Sequence, residues 1–346
     1  PMTFSLFPYV GFASSNSASS SITDSSAGGT ALAVGKKTKN GVVGMDSTAT
    51  VRYKSIAFAA KEAGMKVGIT TSVSIDHATP ASFYAHQARR SYYYEIASEI
   101  PASGFDFFAG SGFLNPTTTF DKKTADDIHT ILTKNGYTIL RGKKALSNKG
   151  WEGKKVVWIN NENENKDALK FAIDQTEDDM SLVDITNGAI KALTHKNDKG
   201  FFLMVEGGKI DWSSHANDGA TTLKEVLDFN KTIQAAYEFY KKHPNETLIV
   251  VSADHETGGL SLGNGPSSLN LKALEHQKVS QGTLSAMIGK LRETNPNASW
   301  ELVKNLIAEN TGLWKKLEVS SADEKAIKAS YEKSFVNHEN ETSKSL

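Results

Sequence analysis

The 346-residue chain contains no cysteine. That excludes disulfides, thiolate metal sites and a cysteine nucleophile, so a zinc ion would have to be held by His, Asp and Glu. Net charge is also absent, because 39 Lys and Arg balance 39 Asp and Glu. No global field points to nucleic acid or to an anionic membrane, and any selectivity for anions must come from local groups. No apolar run approaches the ~20 residues of a membrane-spanning helix. The opening Pro1-Met2-Thr3-Phe4 has no basic segment followed by a long apolar stretch, so no secretory leader is read there. A start in Pro1 is read as that of a processed or truncated chain.

What is present is an alternation of short apolar runs and amphipathic stretches. Arg52 to Gly64 reads as a helix, Lys66 to Thr71 as a buried strand and Pro80 to Ile100 as a long helix. The runs Val156–Ile159, Phe201–Val205 and Leu248–Val251 read as further strands. A helix is expected from Thr222, where Thr222 and Glu225 form a capping box ahead of the stripe Val226, Phe229, Ile233, Tyr237 and Tyr240. This order predicts an α/β fold with a mostly parallel central sheet covered by helices on both faces. From about Ser261 the pattern turns helical, with a second capping box at Ser321 and Glu324, and is read as a small helical insertion. The expected division is an α/β core over 1–260 and the insertion over 261–346. The serine-rich run 13–26 has a linker's composition, but Gly28-Gly29 and Ala31–Val34 look like the start of a packed helix.

Two of the apolar strands end in ligand-type side chains. Phe202–Val205 delivers Glu206, with Asp211 and His215 following at helical spacing; Leu248–Val251 delivers Asp254 and His255. A carboxylate at the end of a buried strand needs a partner or a metal. Asp211 and His215, four apart, would share a helix face and could hold one zinc, although an exposed polar turn accounts for such a pair as well. In parallel sheets, ligands bind beyond the carboxyl ends of the strands, where these clusters fall. Ser25 precedes the glycine pair at a predicted helix N-terminus, where it is either a cap or a nucleophile with helix N–H groups ready for a phosphate. Gly29 to Lys36 is one residue too long for a P-loop, and Lys37 stands where Ser or Thr is needed. Thr79 before Pro80 is a good helix cap, and its oxygen could also ligate a hard cation. An arginine of the pair Arg89-Arg90 could clamp a phosphate if it faces the strand tips.

Taken together, these segments resemble the alkaline phosphatase family. The nucleophile block is Thr23 to Ala31 followed by Gly35 to Gly41; the next block is His77-Ala78-Thr79-Pro80-Ala81 with Ala85-His86 and Arg90. Glu206-Gly207, Asp211, His215 and Asp254-His255 match two more. The resemblance implies hydrolysis of phosphate monoesters through a phosphoserine on Ser25, with Arg90 clamping the phosphate. It implies two zinc ions, one on Asp211 and His215 and the other on Asp254 and His255, and a magnesium on Thr79 and Glu206. His77 and Trp212 fall at positions that vary in the family, beside the phosphate and this third metal, which places His77 in the expected metal set. A homodimer in a periplasmic or extracellular space is implied in the same way.

Two departures from the family pattern are visible. No Asp-Gly-Met-Gly-type segment precedes Ser25, and no histidine after His255 has the context of the family's remaining zinc ligand; His276 and His338 are not assigned. The chain is therefore expected to be truncated at both ends. The competing expectations are another hydrolase of the superfamily (a phosphodiesterase or sulfatase) or an inactive fragment lacking metal ligands.

Overall fold

The computed structural model describes residues 1–148, 150–257 and 270–339. The chain divides into two compact units. The first comprises Pro1–Lys170, Gln175–Asp211 and Val226–Thr257; the second takes Phe171–Asp174, Trp212–Glu225 and the C-terminal stretch.

The elements run α1 (Ser25–Val34), α2 (Ile56–Glu62), β1 (Lys66–Thr71), α3 (Ala78–Ala81), α4 (Tyr93–Ser98), α5 (Ile100–Ser103), β2 (Phe107–Ala109), α6 (Ile128–Lys134), β3 (Tyr137–Arg141), β4 (Lys155–Ile159), α7 (Leu182–Thr194) and β5 (Phe201–Glu206). There follow α8 (Lys209–His215), α9 (Gly219–Lys242), α10 (Gln281–Thr294), α11 (Trp300–Thr311) and α12 (Ser321–Tyr331). The strands form one parallel sheet in the order β3-β4-β2-β1-β5. The fold is thus the expected α/β type with a parallel centre. No helix among the described residues is long and apolar enough to cross a membrane.

Strand alternation builds two cores, because successive side chains point to opposite faces of a sheet. On one face Val67, Ile69, Phe108, Val157 and Ile159 pack with Ala57 of α2, Ile96 and Ala97 of α4, and Ile128 and Leu132 of α6. On the other, Phe107, Ala109, Val156 and Trp158 pack with Ile185, Ala189 and Leu193 of α7. Gly68 faces α7, where an added Cβ would lie 2.9 Å from Leu193 Cδ1, so its lack of a side chain sets how closely that helix approaches. In the second unit, Ile288, Val303, Ile307, Tyr331 and Phe335 join α10–α12 into a core of their own.

Several boundaries differ from the sequence reading. The long helix expected over Pro80 to Ile100 breaks into α3, α4 and α5. Its middle is taken up by a bridge in which Val43 and Gln87 exchange N–H···O bonds of 2.9 and 3.0 Å, followed by Arg90 N donating to Gly41 O at 2.7 Å. The serine-rich run is a built turn, in which buried Ser17 accepts from the N–H groups of Ser19 and Ser20 through its Oγ. Thr222 lies inside α9 with its hydroxyl donating to Asp218 O, and Asp218 takes the N–H and hydroxyl of Thr221 in place of the expected box. In place of the box expected at Ser321, Ser320 caps the helix one residue early, its Oγ accepting from Asp323 N at 3.1 Å. Leu248–Val251 is not a strand. Its composition favours β-structure, but among the described residues the ladder ends at β5, and Leu248 and Val250 are 86% and 76% exposed. The residues 258–269, where the helical insertion was expected to begin, lie outside the described residues.

Phe108, fully buried, meets Tyr84 edge-on at 5.2 Å and holds the middle of the sheet against α4 and α5. Phe108→Ala is expected to cost about 3–5 kcal/mol, read as a lower urea midpoint at unchanged slope; a loss below 1 kcal/mol would contradict this packing.

Candidate active site

The site begins with the start of α1. Asp24 is its N-cap, with Oδ1 accepting from Ala27 N at 3.0 Å. Its Oδ2 accepts from Ser26 Oγ at 2.7 Å, from Gly41 N at 3.1 Å and from Arg90 Nη1 at 3.1 Å. Burial by itself would raise the Asp24 pKa, but the Ser26 hydroxyl, the Ala27 N–H and the Arg90 guanidinium together hold it below the ordinary carboxylate range. One carboxylate therefore caps the helix that presents Ser25 and also fixes the arginine beside it. Arg90 reaches that position because the Val43–Gln87 pairing interrupts the expected helix.

Ser25 is the first residue of α1, and its Oγ lies 3.0 Å from His255 Nε2. Helix N-termini present unsatisfied N–H groups and the positive end of the helix dipole, both suited to an anion. The glycine pair lets other segments approach α1. A Cβ on Gly28 would stand 2.9 Å from Asp254 O, and one on Gly29 would stand 3.0 Å from Ser82 Oγ and 3.3 Å from the Thr79 backbone. Ser82 closes this contact by donating to Ser26 O at 3.2 Å.

Around this helix start lies a group of acids. Glu206, at the tip of β5, accepts from Thr71 Oγ1 at 2.5 Å. Burial of its carboxyl, reinforced by the charges of Asp254 and Asp211, pushes its pKa up to about 7 against the opposing hydroxyls of Thr71 and Thr79. Asp254 is raised by burial and by Asp211, with His255 opposing. His255 donates its N–H to Asp254 Oδ1 at 3.0 Å, and its Nδ1 lies 2.9 Å from Glu256 O. Asp211, in α8, accepts from the Thr257 hydroxyl. His77 precedes α3; burial and then Arg90 pull its pKa down to about 4, with Asp211 opposing. Buried Asp76, which accepts from Leu114 N at 2.9 Å, is pushed up to about 7 by desolvation.

The structure thus gathers Ser25, Arg90, His77, Thr79, Glu206, Asp211, Asp254 and His255 within the first unit. His215 lies on α8, one turn past Asp211, and is exposed. It belongs to the second unit. Among the described residues, no three His, Asp or Glu side chains already converge as a closed ligand set. The donor chemistry nonetheless fits hard or borderline cations. Mutually repelling carboxyls enclosed with an imidazole and a threonine hydroxyl are what such an ion would neutralise.

The sequence reading passed over Asp24, Asp76 and Thr257. Asp24 carried a usable signal, since an Asp directly before a predicted helix is a strong N-cap. Asp76 could be suspected from its place after a strand, but its burial could not.

A carboxyl with a raised folded pKa favours its protonated form. Its contribution to stability is complete below the unfolded value and is lost as pH rises through the folded one. In chelator, the chain is expected to lose stability as pH rises from 4.5 towards about 7 through Glu206, with Asp76 adding in the same direction. Glu206→Gln should flatten part of that slope in thermal melts; an unchanged slope would show that Glu206 is not buried as an acid.

A sequence model described as alkaline phosphatase matches residues 1–112 and 114–339. "Alkaline phosphatase 4" of Bacillus subtilis (strain 168) is 34% identical over 319 residues, covering 89% of this chain and 62% of that protein. "Alkaline phosphatase 3" of the same organism is 38% identical over 249 residues, covering 70% and 51%. The chain therefore spans between half and two thirds of the length of these relatives. Among solved structures, a cold-active alkaline phosphatase from a psychrophilic Shewanella sp. superposes with a TM-score of 0.77 at 29% identity, over 93% of this chain and 74% of that one. A variant of the TAB5 alkaline phosphatase with Mg bound in its M3 site superposes with a TM-score of 0.65 at 34% identity, over 78% and 74%. The chain belongs to the alkaline phosphatase family.

Proposed function

We propose that the chain carries the catalytic portion of a metal-dependent phosphomonoesterase in which Ser25 is the nucleophile. The observation behind this reading is the placement of Ser25 Oγ at the N-terminus of α1, 3.0 Å from His255 Nε2, with Arg90 fixed on the neighbouring Asp24. Arg90 pairs through Nη1 with Asp24, which leaves its other N–H donors for equatorial phosphate oxygens. The N–H groups at the start of α1 add donors to the same anion. Ser25 Oγ attacks phosphorus, the alcohol leaves, and water then cleaves the phosphoserine in a second displacement.

Asp254 and His255 would hold one zinc ion, Asp211 and His215 a second, and Thr79, Glu206 and His77 would surround a magnesium. Bound cations supply charge at the apical oxygens of an in-line displacement and lower the pKa of the attacking oxygen. The substrates are small phosphate monoesters. In the same reading the helical unit is a crown-like insertion, and the assembled protein is a dimer working in a periplasmic or extracellular space; family membership supports these.

A second reading is favoured by one observation, the absence of a closed ligand set among the described residues. In it, the chain alone turns over nothing until ligands from further polypeptide complete the site.

Both readings are tested with a chromogenic phosphomonoester, zinc and magnesium present, and metal content measured in parallel. The first predicts turnover that chelator abolishes and that Ser25→Ala reduces to background. Arg90→Ala should cost about 10²–10³-fold, as for loss of one donor to a transition-state oxyanion. Substoichiometric zinc and no turnover would favour the second; full metallation without monoesterase activity would overturn the first.

A further inference from the structure

Arg90 is held at its guanidinium by Asp24, but its backbone lies in residues 82–92, which belong to no helix and to no strand of the sheet. The register of that segment rests on an isolated bridge and on one carboxylate outside the acid cluster. Glu99 stands at the junction of α4 and α5. Its Oε1 accepts from His86 N at 3.1 Å and from Gln87 Nε2 at 2.6 Å, and its Oε2 lies 3.2 Å from His86 Nδ1. The His86 and Glu99 side chains are only 13% and 17% exposed, so water competes little for these bonds.

His86 passes the hold on to the facing strip. Its Nε2 donates to Tyr53 O at 2.9 Å, and its ring stacks on Phe58 of α2 at 5.7 Å. Tyr53 N donates in turn to Gly44 O at 2.8 Å. Gly44 is pressed against the same segment, since a Cβ there would lie 2.1 Å from Ala85 O and 3.3 Å from His86 Cδ2. Glu99, His86 and Tyr53 therefore clamp residues 85–87 onto 43–44. The register then runs on from the Val43–Gln87 bridge to Arg90 N, which donates to Gly41 O at 2.7 Å. A slip of one residue along an extended strip moves the backbone by about 3.3 Å. That is as long as the whole 3.1 Å bond from Arg90 to Asp24.

We infer that Glu99, acting through His86 and Gln87, is a positioning residue for Arg90: it sets where residues 86–90 lie along the 41–44 strip, and so where the guanidinium stands beside Ser25. The inference rests on the proposed role of Arg90 as the phosphate clamp.

Two readouts test it in the whole chain, with zinc and magnesium present. In turnover of a chromogenic phosphomonoester, Glu99→Ala should lower kcat/KM about 10–100-fold, the scale of a displaced positioning group. In an Arg90→Ala background the same change should cost little more, because both act through one guanidinium. Glu99→Gln should recover most of the loss, since an amide oxygen keeps the two donors on Oε1 and an amide N–H can donate to His86 Nδ1. Full additivity of Glu99→Ala and Arg90→Ala would overturn the inference. The second readout is hydrogen exchange at the Val43, Gln87 and Arg90 amides. Glu99→Ala should speed it about tenfold or more while Val156 to Ile159 keep their rates, and Glu99→Gln should restore it. Gln87→Ala, a milder change should Glu99→Ala not fold, should act in the same direction more weakly. Unchanged exchange at all three amides would overturn the inference even in a chain that turns over nothing, whereas absent turnover with the expected exchange pattern would count against the phosphomonoesterase reading alone.

Discussion

The Asp24 carboxylate is the constraint on which the site depends. It satisfies the Ala27 N–H at the head of α1, the Gly41 N–H of the returning loop and the Arg90 guanidinium. Each bond fixes a different segment, so Ser25, the 41–44 strip and the arginine are positioned by one charge-assisted hub. Such bonds are about twice as strong as neutral ones. The cap is also a local instruction readable by the nascent chain, since it needs only residues 24–27. The arginine contact spans 66 residues and forms only once β1 and α3 are in place.

The bridge between Val43 and Gln87 makes that long-range contact possible. Residues 80–100 have a helix-forming composition, and a continuous helix would have carried Arg90 along its own axis. Tertiary pairing overrides propensity here, as it often does. Gly44 marks the place: at φ +62°, a Cβ would sit 2.1 Å from Ala85 O, so no other residue lets the two segments meet. A glycine in a loop looked unremarkable in the sequence because its partner lies 41 residues away.

Much of the architecture was legible because the strands are short and apolar, with β1, β2 and β4 buried on both faces. Lys66–Thr71, Val156–Ile159 and Phe201–Val205 were found within a residue of their bounds. Leu248–Val251 has the same composition and yet is no strand, since a strand exists only through a hydrogen-bonded neighbour. The carboxylate tips were legible for a related reason. A run such as Phe202–Val205 ending in Glu206 is hard to explain by packing alone, because the acid must be carried into the interior. Asp76 follows Ile75 with equal abruptness, but its carboxylate is met by the Leu114 N–H from 38 residues further on. That contact belongs to the tertiary structure.

The acids also show why the fold alone is not the finished object. Glu206, Asp76 and Asp254 all have pKa values raised by burial, with neighbouring carboxylates adding to the effect. Asp24 is the contrasting case: only partly buried, it stays ionised because the Ser26 hydroxyl, the Ala27 N–H and the Arg90 guanidinium face it. The same type of side chain is thus stabilised at one point by a fixed cation and left frustrated at others, where no arginine or lysine among the described residues pairs with it. A protein-borne cation among the frustrated acids would relieve their repulsion permanently. Without one their burial costs stability, which the packing on the two faces of the sheet offsets.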